Sequence, residues 1–261
     1  RYASRGLGDV YKRQQHNVLI LAGSAEAREL AAQLAEEPAW RTISSFAGRT
    51  ASPKLPAGEV RSGGFGGAVP LAQFLRDEQV AAVVDATHPF AVGITRNAIA
   101  AAQTAGVPLL RLNRPPWVQE PGDLWFEVTD WPDAIPLLKG GGHRVFLAIG
   151  RQELQPFRAL PDCFFLVRTV DTPEAPMPLQ RYESVTGRGP FPVEDEIELL
   201  QRYGITHVVC KNSGGTSAAG KLKAARELGL PVIIKRRPPA LPSPAVRSVG
   251  EAIGWLNAVC G

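Results

Sequence analysis

Three polar side chains close the stretch "VVDATHPFA", where Asp85, Thr87 and His88 follow an apolar run and Pro89 punctuates the chain. Polar groups at a strand terminus suit the orienting of a ligand, and imidazole exchanges protons near neutrality. His88 and Asp85 are therefore the candidate proton donors, against the alternative that a lone His before a Pro is packed or capping. A second turn of interest is "LAGSAEA", where Gly23 and Ser24 lie between an apolar run and a helical pattern. Free N–H groups at a helix start favour a phosphate there. Only one of the three glycines of a G-x-G-x-x-G fingerprint is present, so a structural turn capped by Ser24 fits equally well.

Roughly 20 residues past such a turn, an NAD-specific site offers Asp or Glu to the ribose hydroxyls. Here the chain reads "ISSFAGRT", with no acid. Ser44, Ser45, Arg49 and Thr50 suit a 2′-phosphate instead, so NADPH fits better than NADH; the alternative for Arg49 is a surface residue beside a turn glycine. "RSGGFGG", residues 61–67, spends four glycines in seven positions. Glycine loses the most conformational freedom on folding, so such a cluster marks backbone that side chains would block. It follows the third strand rather than the first, which favours close approach of a flat ligand over a phosphate cradle.

"KNSGG", residues 211–215, can form a nest of backbone N–H groups with Lys211 alongside, suited to an anion. Gly215 to Lys221 also matches G-x-x-x-x-G-K, the start of a P-loop. Leu222 stands where Ser or Thr should ligate magnesium, and Ala218, Leu222 and Ala225 make a helical stripe, so a nucleotide triphosphatase is disfavoured. No Tyr has a Lys four residues on, no G-x-S-x-G elbow occurs, and no Cys, His or carboxylate cluster has metal spacing. What remains is cofactor-dependent chemistry or pure binding.

The elements that hold these turns are apolar runs alternating with helical patterns. "NVLILAG", "RTISSFAG", "GEVRSGG", "VAAVVDATH" and "GVPLLRL" read as strands, with amphipathic helices over "EARELAAQLAEE" and around Ile94, Ala98 and Ile99. Strands apolar on both faces imply a parallel sheet covered on both sides. "HRVFLAIG", "CFFLVRTV", "HVVCK" and "LPVIIKR" repeat the theme, with helices over "VEDEIELLQRYG" and "SAAGKLKAARELG". The expectation is an α/β fold of two Rossmann-like doubly wound domains with mainly parallel sheets and an interdomain cleft. Residues 17–114 form the first domain and 115–261 the second, with "QEPGDLW" as linker or irregular crossover.

At 261 residues the chain exceeds one typical domain, and 44% hydrophobic with 21% charged residues is a globular profile. The net charge of +4 is scattered rather than clustered, which argues against nucleic acid. Three cysteines, an odd number without metal or redox spacing, fit a reducing cytoplasm. No apolar run approaches membrane length, so no membrane partner is expected. Residues 1–16 have neither helical nor strand periodicity and are expected to be a non-native or disordered tail.

Taken in order, "LAGSAEA", "FAGRT", "GGFGG", "DATHPFA", "GRQEL", "RGPF" and "KNSGG" resemble the precorrin-6A reductase family of cobalamin biosynthesis. One departure is Ala22, where the family commonly has a second glycine. The resemblance implies NADPH-dependent reduction of one ring double bond of precorrin-6A, or its cobalt form, with both ligands between two α/β domains. Motif by motif, it implies cofactor contacts at Gly23, Ser24, Glu26, Arg49, Thr50, Thr87, Lys211, Ser213 and Gly214, beside Ser44 from the strand reading. A macrocycle bearing many carboxylates would use arginines for bidentate pairing. Arg61, Arg111, Arg114, Arg151 and Arg188 flank predicted strand ends or glycine loops, and Gly63, Gly64, Phe65 and Gly66 complete the expected substrate surface. A non-catalytic two-domain binding protein for a small acidic ligand is the alternative.

Overall fold

The computed structural model describes residues 15–46 and 56–261. The chain begins with β1 (His16–Leu21), α1 (Ala25–Ala35), β2 (Trp40–Phe46), β3 (Glu59–Ser62), α2 (Ala68–Asp77), β4 (Val80–Asp85), α3 (Val92–Ala105) and β5 (Leu109–Leu112). It continues through β6 (Leu124–Val128), β7 (Arg144–Ala148), β8 (Phe164–Thr169), β9 (Tyr182–Thr186), α4 (Val193–Arg202), β10 (His207–Lys211), α5 (Gly220–Glu227) and β11 (Pro231–Lys235). It ends with β12 (Ala245–Val246) and α6 (Val249–Cys260). Two six-stranded sheets result, in the orders β12-β5-β4-β1-β2-β3 and β6-β11-β10-β7-β8-β9, with every recorded pairing parallel.

The apolar runs are explained by burial on both faces. In β1, Val18 and Ile20 join Leu30, Leu34 and Leu256 under α1 and α6, while Leu19 and Leu21 join Leu71, Leu75 and Ala98 under α2 and α3. Each such side chain contributes about 1.5–3 kcal/mol by leaving water. The second sheet packs Phe146, Leu166 and Val208 against α4 and α5. Its other face carries Val145, Leu147 and Phe165 against Phe157 and Leu138, which sit on short 3-10 turns rather than long helices.

The sixth strand of each sheet is exchanged. β6 follows β5 in the chain yet pairs with β11, and β12 follows β11 yet pairs with β5. α6 then packs on α1, so residues 245–260 belong with the first sheet. A domain division running from residue 115 to the end misses this return. β12 is two residues long, and nothing in its sequence names a partner. Likewise "QEPGDLW" is not wholly linker, because its Leu124 and Trp125 open β6. His16, placed in the expected tail, starts β1: its N–H donates to the Ala39 carbonyl at 2.8 Å and its ring meets Trp40. Residues 1–14 lie outside the described residues.

One side chain holds both crossovers together. The guanidinium of Arg237 donates from Nε to the Asn212 carbonyl at 2.9 Å, from Nη1 to the Arg114 carbonyl at 2.8 Å and from Nη2 to the Ser213 carbonyl at 2.8 Å. Asn212 secures the outgoing crossover, its side chain accepting from Trp117 N–H and donating to Trp117 carbonyl.

Candidate functional site

The carboxyl ends of both sheets face one cleft of about 500 Å³. It is bounded by Gly23 after β1, Phe46 at the end of β2, Gly150 after β7, Thr169 at the end of β8, Gly187 to Gly189 after β9 and Ser213 after β10. Arg28, Arg168, Arg188 and Lys221 line it, and among the described residues no carboxylate does. Arg168 and Arg188 are braced by Glu196 and Asp171, at 2.6 and 2.7 Å. Thr169 is 5% exposed and its Oγ1 has no hydrogen-bond partner among the described residues, a buried hydroxyl at the cleft wall.

A smaller cavity of about 170 Å³ adjoins the first sheet, lined by Leu21, Ser45, Gly63 to Gly67, Leu71, Thr87 and Ile94. The glycine loop makes its wall. Gly63, Gly66 and Gly67 have φ of +100°, +84° and +128°, a region L side chains rarely adopt. A Cβ on Gly63, Gly64 or Gly67 would meet nothing within 4 Å, so the missing side chains leave open space. Gly64 combines that space with an ordinary φ. Gly64→Val is therefore expected to keep the thermal midpoint within about 2 °C while weakening ligand binding at least about tenfold. Scanning calorimetry beside cofactor and macrocycle titrations checks both halves.

Arg61 is engaged within its own loop and lies outside the lining of both cavities. It donates to the Gly63 and Gly64 carbonyls at 2.6 and 3.3 Å and stacks on the Phe65 ring at 3.9 Å, bracing the loop from within. Phe65 in turn packs edge-on against Phe74. Arg151 is exposed on the turn Arg151–Glu153, outside the cleft lining. Arg188 does line the cleft. Arg49 and Thr50 lie outside the described residues.

The cofactor candidates divide similarly. Ser24 caps α1, its hydroxyl accepting from Ala27 N–H at 3.1 Å, and the backbone beside it at Gly23 reaches the cleft. Glu26, in the first turn of α1, pairs with Arg114 at 2.9 Å, at the start of the outgoing crossover after β5. Ser44 is fully buried with no partner for its hydroxyl among the described residues, whereas its neighbour Ser45 lines the smaller cavity. Strand alternation turns successive side chains to opposite faces, so only one of the two can reach it. Lys211 is paired with Glu153. Gly214 is a junction rather than an open nest: its φ is +66°, and a Cβ would stand 2.0 Å from the Pro115 carbonyl oxygen.

Asp85 is fully buried and its carboxylate is spent. Oδ1 accepts from Thr87 N–H and Oγ1 at 3.1 and 2.6 Å, Oδ2 accepts from Thr95 Oγ1 at 2.7 Å, and Arg111 Nε lies 3.3 Å away. These bonds make it a positioning residue for the turn, not a donor reaching the cleft. Thr87 spends its own hydroxyl on Asp85. His88 Nδ1 accepts from Phe90 N–H at 3.3 Å, so Nε2 carries the proton and donates to Ser213 Oγ at 3.0 Å. The imidazole thus bridges the domains with both nitrogens occupied.

Burial, then the nearby charges of Arg114, Lys211, Arg237 and Lys221, pull the His88 pKa down to about 3. A neutral folded-state imidazole makes the unfolded chain the better proton acceptor below about pH 6.5, so its contribution to stability is fully present above that pH and is lost toward 3. With allowance for partial exposure, the wild type is expected to lose about 1 kcal/mol per pH unit more than a His88→Gln variant over that window. Urea unfolding at stepped pH checks it; parallel curves for the two proteins would refute it.

Fold and site together define a double Rossmann-like α/β protein with a cationic interdomain cleft. The family model described as Precorrin-6x reductase CbiJ/CobK matches residues 17–257. The chain belongs to that family. A curated relative from Rhodococcus erythropolis, named Precorrin-6A reductase, is 48% identical over 92% of this chain and 97% of its own length. Another from Priestia megaterium, named Cobalt-precorrin-6A reductase, is 29% identical over 85% of this chain and 90% of its own. The solved structure of CobK precorrin-6A reductase superposes with a TM-score of 0.90 at 43% identity, covering 94% of this chain and 97% of that one.

Arg28, Arg168 and Lys221 were not expected as cleft residues. Arg168 carried a signal, an Arg inside the otherwise apolar run "CFFLVRTV". Lys221 was visible only as the last residue of a P-loop-like pattern. Among the described residues no group of three or more His, Cys, Asp or Glu could hold a metal, and no helix is long and apolar enough to cross a membrane.

Proposed function

We propose that this protein reduces one ring double bond of precorrin-6A with NADPH, giving dihydroprecorrin-6. The observation that carries the reading is the cleft: among the described residues, four cations and no carboxylate line it at the carboxyl ends of two parallel sheets, in a chain of the precorrin-6x reductase family. A macrocycle bearing many carboxylates matches that charge, since arginine pairs carboxylates bidentately. The greater identity to the relative named for the metal-free substrate favours precorrin-6A over its cobalt form.

The smaller cavity fits a flat ring. Its glycine wall is the kind of cradle that any Cβ would fill, and its other walls are largely apolar. The nicotinamide is assigned to it, with the backbone at Gly23 and the start of α1 toward the pyrophosphate. NADPH supplies the hydride; the protein supplies binding, orientation and a proton path. That division accounts for a site with no nucleophile and base pair.

Anaerobic incubation with precorrin-6A and either NADPH or NADH, following the macrocycle's absorbance, tests the reading. Turnover is expected with NADPH, slower turnover with NADH, and slower turnover again with the cobalt form. Failure with both cofactors overturns it in favour of a binding protein.

A further inference from the structure

Reduction of a carbon–carbon double bond needs a proton as well as a hydride, and neither sequence candidate is placed to give one. Asp85 is sealed and fully bonded, and the neutral His88 gives its one N–H to Ser213. The cleft nevertheless holds another proton donor. We infer that Lys221 is the catalytic acid of the proposed reduction, delivering a proton from Nζ to the ring carbon adjacent to the one that receives the hydride. This rests on the reductase reading above.

Lys221 sits in the first turn of α5, at the cleft wall, and is only 7% exposed. The neighbouring Gly220 is what lets it sit there: a Cβ at that position would lie 2.3 Å from the Phe191 carbonyl oxygen, so the helix start is pressed against the loop that closes the cleft. Nζ donates to the Ala218 carbonyl and lies 4.8 Å from the centre of the Trp117 ring. No second hydrogen-bond acceptor is recorded for Nζ among the described residues, which leaves N–H bonds for a ligand. Its surroundings suit an acid rather than a permanent charge. Burial lowers its pKa from the ordinary lysine value, Arg168 on β8 adds to the lowering, and Cys210 on β10 and Glu196 on α4 oppose it. Arg28 and Arg188 share the cleft wall and add like charge. Proton transfer is most efficient when the donor's pKa approaches the working pH.

The step balances. The double bond's electron pair takes the proton from Nζ at one carbon, the hydride from NADPH adds at the other, and the neutral amine regains its proton from water. An arginine at position 221 would keep the charge and the carboxylate attraction but, as a guanidinium that stays protonated throughout the working pH range, could not donate. That difference separates an acid from an anchor.

The test compares wild type with Lys221→Arg and Lys221→Met, using circular dichroism for the fold, quenching of tryptophan fluorescence by precorrin-6A without cofactor for binding, and single-turnover reduction from pH 6 to 10. Lys221→Arg is expected to bind the macrocycle within about threefold and to reduce it at least about one hundredfold more slowly. The wild-type rate should fall at high pH along a limb absent from the variant. A Lys221→Arg rate within a few-fold of wild type, or the same limb in both proteins, overturns the assignment. Should the variants misfold, competitive acetic anhydride labelling of wild type, read by peptide mass spectrometry, decides. Lys221 is expected to react at lower pH than surface lysines and to be protected by precorrin-6A, and an unprotected Lys221 refutes the proposal. Inactivity of the wild type itself would count against the reductase reading instead.

Discussion

Arg237→Ala is expected to lower the unfolding free energy by about 2–4 kcal/mol, more than the loss of one hydrogen bond would cost. Two backbone carbonyls of the turn after β10 and one of the outgoing crossover accept from its guanidinium at 2.8 to 2.9 Å, and Pro115 carbonyl and Asn113 Oδ1 lie at 3.2 and 3.3 Å. Truncation strands these acceptors where water reaches them only in part, which offsets some of the loss. Burial and the like charges of Arg114 and Arg111 lower its pKa to about 10, so it remains a cation at neutral pH and bears a desolvation cost that its acceptors outweigh. Lysine cannot reproduce a planar fork, so Arg237→Lys should recover less than half of the loss. Urea unfolding followed by both tryptophan fluorescence and far-UV dichroism measures the change. Divergence of the two probes in the variant would show the domains uncoupling, and a change under about 0.5 kcal/mol would remove Arg237 from this role.

The sequence made the two parallel sheets legible because each central strand is buried on both faces. "NVLIL" and "VAAVV" are apolar without alternation, and the structure divides their side chains between opposite helix layers. The edges were less legible for the converse reason. β6 exposes Leu124, Phe126 and Glu127, β9 is a mixed polar run, and β12 spans two residues, so none carries a buried-strand pattern. Their exchange between sheets depends on packing that no local pattern encodes.

The site was legible in its turns and not in its allegiances. "DATHPFA" and "KNSGG" do meet, through His88 and Ser213, 125 positions apart. A motif shows that polar groups gather at a strand end. It does not show whether they point to a ligand or to one another, and here Asp85, Thr87 and Lys211 are engaged within the protein. The glycines show the same ambiguity. Gly64 opens onto a cavity, whereas Gly214 fits because another chain segment lies 2.0 Å from where its Cβ would be.

The second large effect concerns Arg168, whose structural and ligand roles can be pulled apart. Its guanidinium lies 4.1 Å from the Phe191 ring centre and 4.8 Å from that of Phe146, and binds Glu196, which is only 1% exposed. Arg168→Met therefore leaves a buried carboxylate without its cation, expected to cost about 3–5 kcal/mol. Adding Glu196→Gln removes the stranded charge while keeping its shape, and should restore more than half of that stability. Arg168 and Glu196 act on the Lys221 ammonium in opposite senses, Glu196 raising its pKa more than Arg168 lowers it, so their joint removal moves it further down. The double variant is thus a folded protein with one fewer cleft cation. Its affinity for precorrin-6A is expected to fall at least about tenfold, a loss of about 1.4 kcal/mol, while its pH–rate limb shifts toward lower pH. Unfolding by urea and titration of the macrocycle read the two roles separately. Wild-type stability in the single variant would refute the pairing, and wild-type affinity in the double variant would refute Arg168 as a ligand contact.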